Sequence, residues 1–232
     1  MSSSAIALRD VWKFYGEFPA VRSLSLDLPA NGIIALLGRN GAGKTTVLRM
    51  IAGLLRPSRG EILIGGAAAD HEQHAASIGM VGHGQWLYDD LTCRENLEFF
   101  ARLYDVSSAA EKVEHWIREV GLWTFRDSRV NQLSRGMRQR LTIARALLHS
   151  PAILLLDEPW TSLDDRAMDL LSSLLLRAQS ENHTVLVSSH QLKETLQIAT
   201  HLAVVDRGRL VFNGPNRDEF RQSPHELYQR IS

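Results

Sequence analysis

A glycine-rich stretch between an apolar run and a helical pattern constrains the fold of this chain most. The run Ile33–Leu37 is short, unbroken and apolar, which is typical of a strand buried on both faces of a parallel sheet. Residues 46–52 carry apolar side chains at helical spacing, and the pattern ends at Gly53. The eight residues between run and helix match G-x-x-x-x-G-K-[ST], the pattern of a phosphate-binding loop: Gly38, Arg39, Asn40, Gly41, Ala42, Gly43, Lys44 and Thr45.

The chemistry of this loop indicates a nucleoside triphosphate as ligand. Glycines let backbone amides turn towards phosphate oxygens, and the following helix presents its positive N-terminal end to them. We expect Lys44 to neutralise charge on the β- and γ-phosphates and the hydroxyl of Thr45 to ligate Mg²⁺. The alternative is a glycine-rich turn that merely precedes a helix, and the correct order of strand, loop and helix argues against it.

Length, charge and cysteine content narrow the class of protein. A chain of 232 residues suits one large α/β domain, or one core with an inserted subdomain. The 26 basic residues balance 26 acidic ones, so no global charge favours a nucleic-acid partner or an anionic membrane. The single cysteine, Cys93, fits a reducing compartment. With no signal-peptide pattern and no apolar run near the ~18 residues of a membrane span, a membrane role is expected only through a partner.

The succession of patterns predicts an α/β sheet that is interrupted by helices. Leucines alternate with polar residues over residues 24–28, which indicates a half-buried antiparallel strand. From about Thr92 to His149 the apolar residues recur at helical spacing. Strand patterns return afterwards, the last of them as a hairpin, at residues 152–156, 184–187 and 202–212. We therefore expect the whole chain to be one domain, with a core lobe of about 1–82 and 151–232 and a helical insert of about 83–150.

Two adjacent carboxylates supply the second half of a hydrolytic site. The apolar run Ile153–Leu156 leads directly into Asp157 and Glu158. A buried parallel strand delivers such residues to its carboxyl end, where ligands of these sheets bind. Because adjacent strand residues point in opposite directions, the two should have different roles. Asp157 would hold Mg²⁺ through water, and Glu158 would orient the water that attacks the γ-phosphate. A solvated acidic turn is the alternative, which the phosphate-binding loop disfavours.

The segment Leu133-Ser134-Arg135-Gly136-Met137 resembles the LSGGQ signature of the ATP-binding cassette (ABC) family. Arg135 and Met137 stand where the family usually has glycine and glutamine. The resemblance implies a P-loop NTPase fold of the α/β class: a RecA-like core with a mixed sheet, an N-terminal antiparallel β-subdomain and an inserted α-helical subdomain. It also implies ATP and Mg²⁺ as ligand and cofactor, and a head-to-tail dimer. In that dimer Ser134 and Gly136 of one subunit would contact the γ-phosphate held by the other.

Further residues match the family's motifs one by one. Tyr15 matches the aromatic residue that stacks on adenine, and Thr46 adds to the nucleotide contacts. Ser162 and Asp164 resemble the D-loop, which couples the two sites across the dimer. His190 matches the switch histidine that contacts the γ-phosphate. By this resemblance the predicted catalytic residues are Lys44, Glu158 and His190.

The family's Q-loop is irregular in this chain. Counting back from Asp89 and Asp90, the expected glutamine position falls on His83 and not on Gln85. The family's glutamine reaches Mg²⁺ and the attacking water, so His83 is a candidate metal-site residue. An imidazole can form similar hydrogen bonds but is shorter and can titrate. Gln85 is the alternative if the loop is shifted.

The resemblance implies the ATPase subunit of a membrane transporter, attached to the cytoplasmic face through separate integral membrane subunits. The insert would receive their coupling helices near Trp86 and Tyr88, although both could be ordinary core residues. Gly82-His83 and Trp160 resemble the haem-exporter ATPase of cytochrome c maturation, and export is favoured over import. The alternative functions are a soluble ABC ATPase acting on ribosomes or in DNA repair, and a small-metabolite kinase.

Overall fold

The computed structural model describes residues 4–68, 74–82, 86–161, 163–223 and 227. The strands within these ranges are β1 (Ser4–Tyr15), β2 (Phe18–Pro29), β3 (Ile33–Leu37), β4 (Arg59–Ile64), β5 (Ala67–Ala68), β6 (Ile78–Val81), β7 (Ile153–Asp157), β8 (Thr184–Ser189), β9 (His201–Asp206) and β10 (Arg209–Pro215). The α-helices are α1 (Lys44–Ile51), α2 (Cys93–Leu103), α3 (Ala109–Glu119), α4 (Arg135–Leu147), α5 (Asp165–Ser180), α6 (Leu192–Ile198) and α7 (Asp218–Gln222). Short 3₁₀ turns lie at Ala75–Ser77, Trp123–Phe125 and Val130–Gln132.

The larger sheet carries the site residues at one edge. Its order is β10-β9-β3-β8-β7-β6, and all neighbours pair in parallel except the outer β9–β10 hairpin. Every residue of β3, β7 and β8 is buried, as expected for parallel strands covered on both faces. The register pairs Leu37 with Ser189 and Asp157 with Ser188. The residues that follow β3, β7 and β8 therefore emerge side by side.

The smaller sheet is antiparallel, in the order β2-β1-β4-β5. The alternating leucines of β2, Leu24, Leu26 and Leu28, are buried, and the polar residues between them are exposed. They lie in one hydrophobic cluster with α1 and one face of the larger sheet. The mixed sheet and the antiparallel sheet confirm the predicted fold class.

Alternate residues of β7 face two different cores. Leu154 and Leu156 pack in the cluster that contains α4 and α5, whereas Ile153 and Leu155 pack with α1 and the smaller sheet. This follows from the two-residue period of a strand. A change of register in β7 would therefore disturb both cores at once, which fixes the position of its carboxyl end.

Helices α2, α3 and α4 follow β6 and precede β7, and their apolar faces share one cluster. A capping box opens α2: the Thr92 hydroxyl accepts from Glu95 N at 3.1 Å, and the Glu95 carboxylate accepts from Thr92 N at 2.8 Å. The boundaries expected for a separate helical insert, about 83 and 150, stay a prediction. In the described part of the chain, no helix has both the length and the apolar character needed to cross a membrane.

The buried thiol of Cys93 gives a direct test of packing at the start of α2. Burial raises the pKa of Cys93 to about 11. At pH 8 the native thiol should then be ionised to about one part in a thousand, against about a quarter for an unfolded cysteine. We expect iodoacetamide to modify the native protein at least about 100-fold more slowly than the urea-unfolded protein, as followed by mass spectrometry. Equal rates would contradict this packing.

Candidate nucleotide-binding and hydrolysis site

Close backbone approaches explain two glycines of the phosphate-binding loop. A Cβ on Gly38 would lie 2.3 Å from the carbonyl oxygen of Val205, and one on Gly43 would lie 2.7 Å from that of Ala20. Gly43 also has φ of 105° directly before α1, a conformation that side chains rarely adopt. The loop is thus held between β9 and β2 at positions where only glycine fits. This places its amides and the first turn of α1 at the sheet edge.

The side chain of Lys44 points back into the phosphate-binding loop. Its side chain is buried, and its ammonium donates to Gly38 O at 2.8 Å. The same Nζ atom lies 3.4 Å from Oε1 of Glu158, which is also nearly buried. The structure therefore brings together a cation and a carboxylate that the sequence separates by more than a hundred residues. Both side chains line one cavity beside the loop.

Asp157 is buried at the end of β7 and accepts two hydroxyl hydrogen bonds. Thr45 Oγ1 donates to its Oδ1 atom at 3.1 Å, and Ser188 Oγ donates to the same atom at 2.6 Å. Hydroxyl and carboxylate oxygens are suitable ligands for Mg²⁺. In the parts of the chain that the structure describes, no three His, Cys, Asp or Glu side chains form a metal-binding group.

Glu158 turns away from Asp157 at the end of the strand. Its φ of 52° is left-handed, and its backbone N–H donates to Ser188 O at 3.1 Å. Its Oε2 atom lies 2.8 Å from Nδ1 of His190 and accepts from His190 N at 3.1 Å. The two adjacent carboxylates therefore have different partners: hydroxyls for Asp157, and Lys44 and His190 for Glu158. Mg²⁺ binding by Asp157 and orientation of the attacking water by Glu158 stay predictions.

A cavity of about 550 Å³ opens beside the loop. It is lined by Tyr15, Phe18, Ala20, Asn40, Gly41, Ala42, Gly43, Lys44, Thr45, Thr46, Glu158, Thr161 and His190. Tyr15 and Phe18 pair across the β1–β2 hairpin and are 49% and 63% exposed. Phe18 was not identified in the sequence, although the two-residue turn that puts it opposite Tyr15 is visible there. An exposed aromatic pair at this mouth suits stacking on a nucleotide base.

The signature residues lie apart from this cavity. Ser134 is exposed and caps α4, where its hydroxyl accepts from Met137 N at 3.3 Å. Asp164 caps α5 by accepting from Ala167 N at 2.8 Å. Ser134, Gly136 and Asp164 do not line the 550 Å³ cavity.

Three residues singled out in the sequence, His83, Gln85 and Ser162, lie outside the described residues. Arg39, predicted as part of the loop, is exposed, and its carbonyl oxygen accepts from Ala42 N at 3.1 Å.

A second cavity, of about 620 Å³, adjoins the carboxylates from the side of α4. Asp157 and Glu158 line it together with Trp86, Arg135, Gln139 and neighbouring residues. Arg138 and Asp89 also line it, and Arg138 donates to Asp89 at 3.0 Å. Glu158 therefore faces both the loop cavity and the space under the helices.

A family model described as "ABC transporter" matches residues 21–161, more than half of the chain. The chain belongs to this family. Nod factor export ATP-binding protein I of Cupriavidus metallidurans is 37% identical over 229 residues, which cover 97% of this chain and 73% of that protein. ABC transporter ATP-binding protein NatA of Bacillus subtilis is 36% identical over 200 residues, with 84% of this chain and 81% of that protein covered.

Solved structures agree with this membership. A protein described as the ATP binding subunit of an ABC transporter superposes with a TM-score of 0.89 at 27% identity, over 98% of this chain and 99% of that one. The ATP-binding cassette MJ0796, solved as a dimer in a post-hydrolysis state with ADP and Pi, superposes with a TM-score of 0.85 at 26% identity, over 91% of this chain and 99% of that one. This ABC protein is an ATP-binding, ATP-hydrolysing transporter subunit, as its motifs predicted.

The narrower resemblance to a haem exporter receives no support from these relatives, whose names concern Nod factor export and NatA. Trp160, on which that resemblance partly rested, is 1% exposed and packs in the core with Leu156 and α5. Its bulk therefore has a structural reason that does not depend on a transported substrate.

Ser188 is a site residue that sequence reasoning missed, because a serine in an apolar strand carries no local signal. Its hydroxyl orients the buried Asp157 carboxylate. We expect Ser188→Ala to lower ATP hydrolysis about tenfold and to raise the Mg²⁺ concentration for half-maximal activity, since groups that orient a metal-binding carboxylate are worth this much. The control is Ser189→Ala, which removes an equally buried hydroxyl bonded only to Gln191 in the described structure. Equal Mg²⁺ dependence of the two variants would contradict the assignment.

Proposed function

We propose that this ABC protein powers an exporter by closing head to tail as a dimer around two ATP molecules and hydrolysing them. The observation that carries the proposal is the position of Glu158 beside the loop cavity. Its carboxylate lies 3.4 Å from the Lys44 ammonium and 2.8 Å from the His190 imidazole. A carboxylate fixed between a phosphate-binding cation and a histidine is placed to orient an attacking water.

The roles of the loop residues follow from the charges that they bring together. The loop amides from Gly38 to Thr45 and the Lys44 ammonium would bind the β- and γ-phosphates, and Tyr15 with Phe18 would hold the base. Thr45 and Asp157 would hold Mg²⁺, which when bound neutralises charge on the phosphate oxygens. Glu158 would accept a proton from the attacking water.

The signature residues support a dimer because they lie away from their own chain's loop cavity. Ser134 is exposed at the N-terminus of α4, where backbone N–H groups favour an anion. A second copy arranged head to tail would bring its bound triphosphate to Ser134 and Gly136, and Asp164 would lie near the shared interface. Arg135 adds a cation at this position, which fits a phosphate-facing surface. The similar ATP-binding cassette MJ0796 was solved as a dimer bound to ADP and Pi, which supports the proposal that this chain dimerises.

An aromatic surface supports attachment to membrane subunits. It consists of Trp86, Tyr88, Phe99 and Leu103, which are between 38% and 65% exposed. Tyr88 and Phe99 meet edge to face, with centroids 4.9 Å apart. Exposed apolar groups clustered in this way are typical of protein interfaces. We propose that this surface contacts integral membrane subunits, and that the protein works at the cytoplasmic face of the membrane.

Export is proposed from the relatives, among which Nod factor export proteins recur. Membrane subunits would select the transported molecule, so the residues of this chain do not define it.

Glu158→Gln tests the hydrolytic assignment. The amide keeps the shape of the side chain but cannot accept a proton, so we expect ATP binding to persist while hydrolysis falls at least about 100-fold. A dimer should then accumulate with ATP and Mg²⁺ in multi-angle light scattering. Lys44→Ala is the control: it removes the phosphate-binding cation, so both binding and dimer should be lost. Wild-type turnover in Glu158→Gln would contradict the assignment of Glu158 as the residue that orients the attacking water.

The Q-loop role that we propose for His83 concerns ATP hydrolysis and not ATP binding, so variants of His83 can distinguish the two. We expect His83→Ala to lower kcat for ATP about tenfold with little change in nucleotide affinity, and His83→Gln to restore most of it, because a side-chain amide makes the family's usual contact. Gln85→Ala is the matched comparison and should have the smaller effect. The reverse order of the two alanine variants would assign the role to Gln85.

A further inference from the structure

Arg145, in the last turn of α4, is a buried cation that the hydrolytic site does not contact. It is 7% exposed, and burial lowers the pKa of its guanidinium. Among the described residues, no carboxylate forms an ion pair with it, and its Nε atom has no hydrogen-bond partner. Burying an unpaired charge is costly, so a cation in this position needs other contacts that stabilise it.

Three separate segments supply those contacts. The Nη2 atom donates to Met80 O, in β6, at 2.6 Å. The guanidinium carbon lies 5.4 Å from the ring centroid of Trp86 and 5.1 Å from that of Phe100 in α2. Both distances are within the range of cation–π attraction. Arg145 therefore connects α4 to three other parts of the chain: β6 through Met80, α2 through Phe100, and the segment before α2 through Trp86.

Each tied segment leads to the hydrolytic site or to the aromatic surface. Met80 pairs with Leu155, two residues before Asp157. Trp86 belongs to the aromatic surface and also lines the 620 Å³ cavity with Asp157 and Glu158. Ser134 caps the opposite, N-terminal end of α4. Arg145 is thus the point at which the aromatic surface, β6 and the signature helix meet, and β6 is the hydrogen-bonded neighbour of the strand that carries Asp157.

The backbone at Trp86 depends on such contacts. Its φ of 45° is left-handed, which is rare for a bulky aromatic residue. Its ring lies over Gly82, where an added Cβ would be 3.6 Å from Trp86 Cη2. A residue in this conformation is retained only where surrounding contacts hold it. The guanidinium of Arg145 is one of them, so losing it should release Trp86 from this position.

We propose that Arg145 is a positioning residue for ATP hydrolysis, which transmits the position of Trp86 in the aromatic surface to the carboxyl end of β7 through Met80. The inference rests on the proposed function. A partner that displaces Trp86 would move the guanidinium, and with it the hydrogen bond to β6. Because β6 and β7 are hydrogen-bonded neighbours, that movement reaches Asp157 and Glu158. A packing role alone would affect stability without affecting turnover.

The test uses the full chain with Arg145→Met, which keeps an unbranched apolar stem and removes the cation. We expect kcat for ATP to fall about tenfold while KM changes less than about twofold, because the loop that binds the phosphates is untouched. Arg145→Lys keeps the charge but loses the planar fork, so its kcat should be intermediate. Thermal unfolding measured in parallel gives the folded fraction to which kcat is normalised.

A double-mutant cycle with Trp86→Leu identifies the route. If Arg145 acts through Trp86, the double variant should be no slower than the slower single variant, because both changes break the same link. The matched control is Arg118→Met, which removes a guanidinium whose carbon lies 3.3 Å from the ring centroid of Trp123. Arg118 belongs to the same group of helices but has no contact with β6 in the described structure. Its kcat should equal that of the wild type.

Unchanged kcat in Arg145→Met, a loss confined to KM or stability, or independent effects in the cycle would each overturn the inference. Should Arg145→Met fail to fold, the cycle is run with Arg145→Lys and the same outcomes decide. Failure of the proposed function looks different: wild-type protein without ATPase activity, or Glu158→Gln as active as wild type, would refute hydrolysis at this site whatever Arg145 does.

Discussion

The in-register parallel pairing of β3, β8 and β7 is the constraint on which the site depends. Because parallel strands end at one edge, the pairing of Asp157 with Ser188 and of Leu37 with Ser189 brings three separate stretches of sequence together. The phosphate-binding loop follows β3, and Glu158 and His190 follow the other two strands. A one-residue slip would reverse the faces of these buried strands, so the two cores that fix the register also fix the geometry of the candidate site.

Buried charge at this edge is balanced locally. Lys44 is held by the loop carbonyl of Gly38 and by Glu158, and Asp157 accepts from two hydroxyls. Such arrangements are expensive to break on one side, since a lone buried charge is left behind. Arg145 is balanced differently, by aromatic faces and one carbonyl. Among the described residues, no carboxylate forms an ion pair with Arg145, so its charge is stabilised by the surrounding rings and the Met80 carbonyl.

Local patterns were sufficient to predict much of the fold and the candidate site. The strand, loop and helix around Lys44, the apolar strand before Asp157, and the alternating leucines of β2 each reflect a periodicity or a motif in one continuous stretch of sequence. Family resemblance then supplied order and function, and the fold and ATPase predictions were confirmed. The haem-exporter interpretation had a weaker basis, because it rested on loop residues and on Trp160, whose burial is explained by packing.

The sequence by itself determined which chemistry this ABC protein carries: a phosphate-binding loop, a pair of carboxylates and a helix-capping signature, since each is encoded by neighbouring residues. Only the tertiary structure decided which side chains orient that chemistry. Ser188 in β8 donates to Asp157 in the neighbouring strand β7, and Arg145 in α4 donates to Met80 in β6, 65 residues earlier in the chain. Contacts of this kind depend on register and packing between distant segments, which leave no periodic signal in the chain.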